Sequence, residues 1–409
     1  MSNEYTYFVD FGSEHIVLLA AKIKNKQLID IPIILKKTIK ITLQRQQTAI
    51  EQPENFEALL MLISEAEQKL HTNISSIILT TKSKAMCLFF TKKKIDFKKQ
   101  QRVTQIHKEK LITDAIKNFY EKTDSNYSIL DVIPNNFILD QYNNIKNPYK
   151  MSCQLLSINA TIIGIKNSFT TFLGKQLENF KLHVDHYISP CVAIYSLLKN
   201  SLSKTGNFLF IDLGSNVTEY CISQNDCITH LNAFELGGVD MTRDIAKEMK
   251  IYIHDADIVK KKICDDKLQK TEDRATRFTI KQIEKTANAR FIEIINFIFE
   301  TIKNNKDLRN LSFKKIYIFG GNSMYKNAKS IVSGIFGNSN IEVLDISCIF
   351  ESDILYKKIK EIDLNNDNLQ LFCAVNFYIN NLNMYTNAKR GFLFEIPSKI
   401  SCFLKDMLY

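Results

Sequence analysis

Two short segments constrain this chain more than any other feature. Asp10-Phe11-Gly12-Ser13 and Asp212-Leu213-Gly214-Ser215-Asn216 each end an apolar run, and they lie in opposite halves of the sequence. A strand that turns sharply at glycine presents backbone N–H groups, which suit phosphate oxygens. An aspartate at each strand end, Asp10 and Asp212, can hold a magnesium ion between them through water. One such turn arises easily by chance. Two, each opening a half of strands and helices, point to a duplicated α/β unit.

The hydrophobic pattern supports that duplication. Apolar runs at 5–10, 16–23 and 28–35 predict strands, and an amphipathic helix follows at 53–71 with Phe56, Leu59, Leu60, Leu62, Ile63 and Leu70 on or near one face. Ile77–Thr81 is the next strand. The second half repeats the order with Phe208–Asp212, Glu219–Ile222, Ile228–Phe234, a helix at Met241–Met249 and a strand at Lys315–Phe319. Two glycine pairs, Gly237-Gly238 and Gly320-Gly321-Asn322, each open a predicted helix. Glycine there lets backbone approach a sugar or base, and a helix N-terminus favours negative charge. Each pair taken alone fits a tight turn with no ligand better; it is the four glycine sites in this order that point to a nucleotide.

Two segments interrupt the repeat. Residues 82–160 hold a basic stretch, a helix at 103–121 and strands around Ile129–Ile133 and Cys153–Ile158, enough for a small α/β domain. Residues 248–311 are highly charged and read as mostly helical. Their long helix, Ile280 to Ile302, places Ile283, Ala287, Ile294, Ile295, Ile298 and Phe299 toward the core.

Composition narrows the class. Hydrophobic residues make up 45% and charged residues 24%, ordinary for a soluble globular protein. The nine cysteines form no CxxC pair, which fits reduced thiols in a cytoplasmic protein and argues against a zinc site. No apolar stretch reaches the roughly 18 to 20 residues of a spanning helix, and Met1 to Phe11 carries no export signal. A GxxxxGK[ST] loop is absent, which excludes a P-loop enzyme on its signature. The net charge of +10 and the cluster Lys92, Lys93, Lys94, Lys98, Lys99 invite a nucleic-acid reading. Lysines are spread through the whole chain, however, and no aromatic platform accompanies the cluster, so no nucleic-acid partner is expected.

Together these motifs resemble the actin-like ATPase superfamily, and within it the FtsA family of bacterial cell-division proteins. Val132-Ile133-Pro134, Asp140 and Ile145-Lys146-Asn147-Pro148 are similar to that family's signature in a subdomain, 1C, that actin lacks. Lys181-Leu182-His183-Val184-Asp185, Ala193-Ile194-Tyr195-Ser196, the segment from Gly237-Gly238 through Thr242 to Asp244-Ile245-Ala246, and Arg290 with Glu293 are also family-like. The resemblance covers nearly the whole chain. It implies an actin-like two-lobed fold of duplicated ribonuclease-H-like units: 1–81 plus 161–201 as subdomain 1A, 82–160 as 1C, 202–247 plus 312–379 as 2A, and 248–311 as 2B. A linker at 380–398 and a C-terminal helix at 399–409 complete it. ATP with Mg2+ would bind Asp10, Gly12, Ser13, Asp212, Gly214, Ser215, Asn216, Gly237, Gly238, Gly320, Gly321 and Asn322.

The chain departs from the family at telling places. The second turn usually reads DIGGGT, whereas here Ser215 adds a Cβ, Asn216 replaces a glycine and Val217 replaces a threonine. His15 stands where lysine is common, Asn144 replaces the glycine before Ile145, and Met151 follows Tyr149-Lys150 where a glycine pair is usual. Nucleotide binding with slow or absent turnover is therefore expected, and no catalytic residue is marked.

The last residues place Ile400, Phe403, Leu404, Met407 and Leu408 at i, i+3, i+4, i+7 and i+8, one stripe of a helix. The resemblance implies that this stripe lies on the inner surface of the cytoplasmic membrane. One short tail binds weakly, so several on one polymer would be needed to hold. By the same resemblance, the C-terminal peptide of the tubulin-like protein FtsZ would dock on 248–311. Later division proteins and neighbouring subunits in a filament would meet 82–160. A pilus-assembly adaptor and a small-molecule kinase on the same fold remain as rivals, and a chaperone lacks room for a substrate domain.

Overall fold

The computed structural model describes residues 4–39, 53–82, 84–123, 126–202, 205–264, 280–345 and 369–381. The expected tail helix at 399–409, with Ile400, Phe403, Leu404, Met407 and Leu408, lies outside these residues.

The first lobe opens with β1 (Thr6–Phe11), β2 (His15–Lys24) and β3 (Gln27–Thr38), then α1 (Pro53–Leu70) and β4 (Ser76–Thr80). After a long insert come α3 (Asn167–Glu178), β9 (His183–Ile188) and α4 (Pro190–Leu198). Its sheet has the order β3-β2-β1-β4-β9. β1 pairs antiparallel with β2 and parallel with β4, with Asp10 opposite Thr80. A strand at the centre of such a sheet is covered on both faces and reads as a continuous apolar run. Phe8 and Val9 accordingly have no exposed surface.

The second lobe repeats this plan. β10 (Asn207–Leu213), β11 (Thr218–Gln224) and β12 (Cys227–Phe234) form an antiparallel meander, and β13 (Lys315–Phe319) and β14 (Ile341–Val343) add in parallel. The order β12-β11-β10-β13-β14 matches the first lobe strand for strand. Asp10 and Asp212 thus occupy corresponding positions at the ends of the two central strands. Between β12 and β13 lie α5 (Gly238–Met249), α6 (Ile253–Cys264) and α7 (Ile280–Asn304). On α7, Ile283, Ala287, Ile294, Ile295 and Ile298 are buried as the periodicity predicts, while half-buried Phe299 packs edge-on to Phe336. Two boundaries differ from expectation. The helix expected at Met241 begins at Gly238, because the Asp240 carboxylate accepts the Gly237 N–H at 3.0 Å and stabilises a first turn upstream. The helix expected directly after Gly320-Gly321 is a single 3-10 turn, Gly321–Met324, and α8 starts only at Ala328 (Ala328–Phe336).

The insert is a four-stranded sheet of order β5-β8-β6-β7 backed by α2 (Gln105–Thr123). Its strands are β5 (Met86–Arg102), β6 (Tyr127–Leu139), β7 (Tyr142–Ile145) and β8 (Ser152–Lys166). The basic stretch is one long edge strand, and the short strands expected near Ile129 and Cys153 extend much further. Lysine is a poor strand former; here Lys92 and Lys94 stay on the wet face while β8 supplies the pairing. The signature residues build the insert's turns. The Asp140 carboxylate accepts the N–H groups of Gln154 and Leu155 at 3.0 and 2.8 Å. Asn147 Oδ1 accepts from Lys108 Nζ at 3.0 Å and from the Tyr149 N–H at 3.2 Å. The insert also reaches the second lobe, where the Thr161 hydroxyl donates to the Ile228 carbonyl at 2.6 Å.

The last described helix, α9 (Leu369–Asn380), packs on α4 and β1. Its Phe372, Cys373 and Ala374 have no exposed surface and join a core that also takes Phe210, Cys221 and Phe319 from the second lobe.

Candidate functional site between two glycine turns

The two central strands point their C-terminal ends at one another. Asp10, Phe11, Gly12, Ser13, Thr81 and Lys82 from the first lobe face Gly214, Ser215 and Val217 from the second, with Gln370 of α9 closing one side. This is the arrangement the sequence predicts for the two Asp-x-Gly turns. Close packing explains the glycines: a Cβ on Gly12 would come within 2.7 Å of the His15 carbonyl, and one on Gly214 within 2.4 Å of the Val217 carbonyl.

The glycine pairs of the second lobe gather on the same side. Gly238 donates its N–H to the Gly214 carbonyl at 3.1 Å, and Val239 donates to Ser215 at 2.8 Å. Asn322 Nδ2 donates to the Gly214 carbonyl at 2.8 Å. Gly320 has φ +87°, a conformation that favours glycine, and a Cβ there would lie 2.4 Å from Asp212 Oδ1. Gly237, Gly238, Gly320 and Asn322 therefore surround the second turn, while Gly321 faces open space. Asn216 Oδ1 is buried and, among the described residues, has no hydrogen-bond partner.

Several residues at the centre carry no local signature. Lys82 Nζ contacts Asp212 Oδ1 at 2.8 Å, linking the lobes. Gln370 Nε2 donates to both carboxylate oxygens of Asp212, at 2.9 and 2.8 Å. Burial works against the Lys82 ammonium, but the charge and hydrogen bond of Asp212 outweigh it and hold its pKa above the ordinary lysine value. Thr80 Oγ1 donates to Asp10 Oδ1 at 2.6 Å. Glu14, just after the first turn, accepts from the Ser215 hydroxyl at 2.8 Å and pairs with Lys261 of α6 at 3.2 Å.

Behind the turns, Glu219 of β11 is completely buried. Its Oε2 accepts from the Ser189 hydroxyl at 2.8 Å and from the Cys191 N–H at 3.0 Å, at the N-terminus of α4. Burial pushes this carboxyl up to about 7, against the pull of those two donors.

These residues treat nucleotide and metal differently. The turns keep the bare backbone that phosphate needs, while the orphaned Asn216 oxygen is an acceptor and suits a hydroxyl or amine donor, not a phosphate. The cavity between the turns is about 50 Å³, far below the roughly 300 Å³ of a small-molecule pocket, so a triphosphate requires the lobes to part. Magnesium does not fit Asp212, whose oxygens already accept from an ammonium and an amide. Among the described residues no cluster of three or more metal-ligating side chains occurs.

Duplicated five-stranded lobes closing on paired glycine turns define an actin-like protein. A chain of the PilM-PilN type IV pilus biogenesis complex shares this fold with a TM-score of 0.60 at 14% identity, covering 91% of this chain and 98% of its own. The insert is more particular: residues 88–164 match the family model described as the SHS2 domain inserted in FtsA. The cell division protein FtsA of Buchnera aphidicola is 22% identical over 303 residues, 68% of this chain and 70% of the relative. That of Bacillus subtilis is 29% identical over 136 residues, 33% of this chain and 31% of the relative. The chain is thus FtsA-like, with an actin-like fold and an FtsA-type insert.

Proposed function

We propose that this chain is an actin-like cell-division protein that assembles into filaments and tethers the FtsZ ring to the inner face of the cytoplasmic membrane at the division site. The observation that carries this reading is the SHS2-type sheet seated between β4 and β9 of an otherwise actin-like body. An enzyme or chaperone on the same scaffold gives no reason for that insert. No helix among the described residues is long and apolar enough to cross a membrane, so attachment would rest on Ile400, Phe403, Leu404, Met407 and Leu408. The FtsZ C-terminal peptide would meet α6 and α7, where Ile258, Ile292 and Phe297 are exposed, together with Tyr252 just before α6. Neighbouring subunits and later division proteins would meet the insert. ATP is the ligand this reading gives to the parted lobes, held by the Gly12-Ser13 and Gly214-Ser215-Asn216 turns, with Gly237, Gly238, Gly320, Gly321 and Asn322 nearest its nucleoside.

Two measurements test this reading. An FtsZ C-terminal peptide is expected to bind the full chain, and removal of 399–409 is expected to release the protein from anionic vesicles. Failure of the peptide to bind removes the division reading and leaves the pilus-adaptor alternative. A truncated chain that still sediments with vesicles removes the tail from the account.

A further inference from the structure

We propose that Lys82 is the resident cation of the interlobe cleft, neutralising the paired aspartates so that the lobes close without a divalent ion. This goes beyond the division reading and does not depend on it.

Lys82 follows β4 in the first lobe, and its ammonium lies 2.8 Å from Asp212 of the second. It lines the same small cavity as Asp10 and carries a favourable charge interaction with Asp212 first and with Asp10. A carboxylate offers about four acceptor sites. At Asp212 one is taken by Lys82 and two by Gln370. Both acceptor sites of Oδ1 are thus taken, and Gly320 packs against that same oxygen, where a Cβ would lie 2.4 Å away.

Magnesium demands near-octahedral geometry and keeps several waters. With the Lys82 side chain in place, Asp212 has no exposed surface to admit them. A metal would also have to displace Lys82, because two cations at one carboxylate repel. Gly214 gains a second role in this arrangement: a Cβ there would lie 2.7 Å from Lys82 Nζ, so the turn leaves room for the ammonium as well as for its own backbone. Lys82 and Gln370 come from segments far apart in the chain, yet both converge on the one carboxylate that the fold places opposite Asp10.

The test uses the full chain and magnesium alone. Thermal unfolding is followed in EDTA and in millimolar MgCl2 for the wild type, Lys82→Met and the double variant Lys82→Met/Asp212→Asn. The wild type is expected to melt at the same temperature in both buffers. Lys82→Met is expected to melt lower in EDTA and to regain several degrees with magnesium, since the aspartates then lack their cation. The double variant is expected to lose that magnesium response. A wild type stabilised by magnesium as strongly as Lys82→Met, or a Lys82→Met protein indifferent to it, overturns the proposal. If Lys82→Met does not fold, a Mn2+ titration of the wild type decides: no saturable site in the millimolar range upholds the proposal, and a submillimolar site overturns it.

Discussion

Glu14 accepts a hydrogen bond of 2.8 Å from the Ser215 hydroxyl, so the two glycine turns touch each other directly across the cleft. The serine that departs from the family's glycine therefore has a structural partner. Lys261 of α6 holds the other oxygen of Glu14 at 3.2 Å and extends the tie into the second lobe's helices. A hydrogen bond to a charged group contributes about 1.5–3 kcal/mol. Ser215→Ala is expected to lower stability by about 1–2 kcal/mol, read as a lower urea midpoint with an unchanged m-value.

The glycine pair at 320 and 321 offers an internal comparison. Gly320 combines φ +87° with an absent Cβ that would sit 2.4 Å from Asp212 Oδ1, whereas a Cβ on Gly321 meets nothing within 4 Å. Gly320→Ala is expected to cost at least about 2 kcal/mol, from strain and the displaced carboxylate. Gly321→Ala should stay within about 0.5 kcal/mol of wild type. Equal effects in a thermal melt would refute this account of the turn.

Packing inside the insert gives a third expectation. A Cβ on Gly164 of β8 would lie 2.6 Å from the Phe119 ring and 3.2 Å from Cys87 Sγ. Phe119 is fully buried and cannot retreat into solvent. Gly164→Ala should therefore destabilise the insert by about 1–3 kcal/mol, seen as faster amide exchange in β5, β6 and β8.

Glu219 predicts a pH dependence. Its folded value of about 7 stands above the ordinary 4.5, so folding favours the neutral form. Its contribution is fully present below 4.5, falls as pH rises to about 7, and is constant above. Glu219→Gln keeps an oxygen for Ser189 and Cys191 but cannot ionise. Across that window the variant should gain on wild type by up to about 3 kcal/mol. A difference between the two that does not vary with pH would rule out a buried, neutral Glu219.

Much of the fold was legible because it is local. β1 and β10 announce themselves as apolar runs ending in Asp-x-Gly, and α1 and α7 follow a helical period. The facing of the two turns was legible too, since duplication places equivalent strand ends together. Lys82, Gln370, Glu14 and Glu219 were not legible as site residues. Each is an ordinary polar residue locally and gains its role only when strands and helices distant in sequence converge. Lys82 had a faint signal, a lysine directly after the buried strand beside the first turn, but it stood among many lysines. The long β5 was hidden for a related reason: its lysines lower strand propensity, and pairing with β8 overrides that.

The helix that sets Gln370 on Asp212 is also the one from which residues 382–409 continue. If residues 399–409 hold the chain to a membrane as proposed, a pull on them would reach α9, and so the hydrogen bonds that steady the cleft's central carboxylate. Traction at the surface and the closure of the two lobes would then share a single lever.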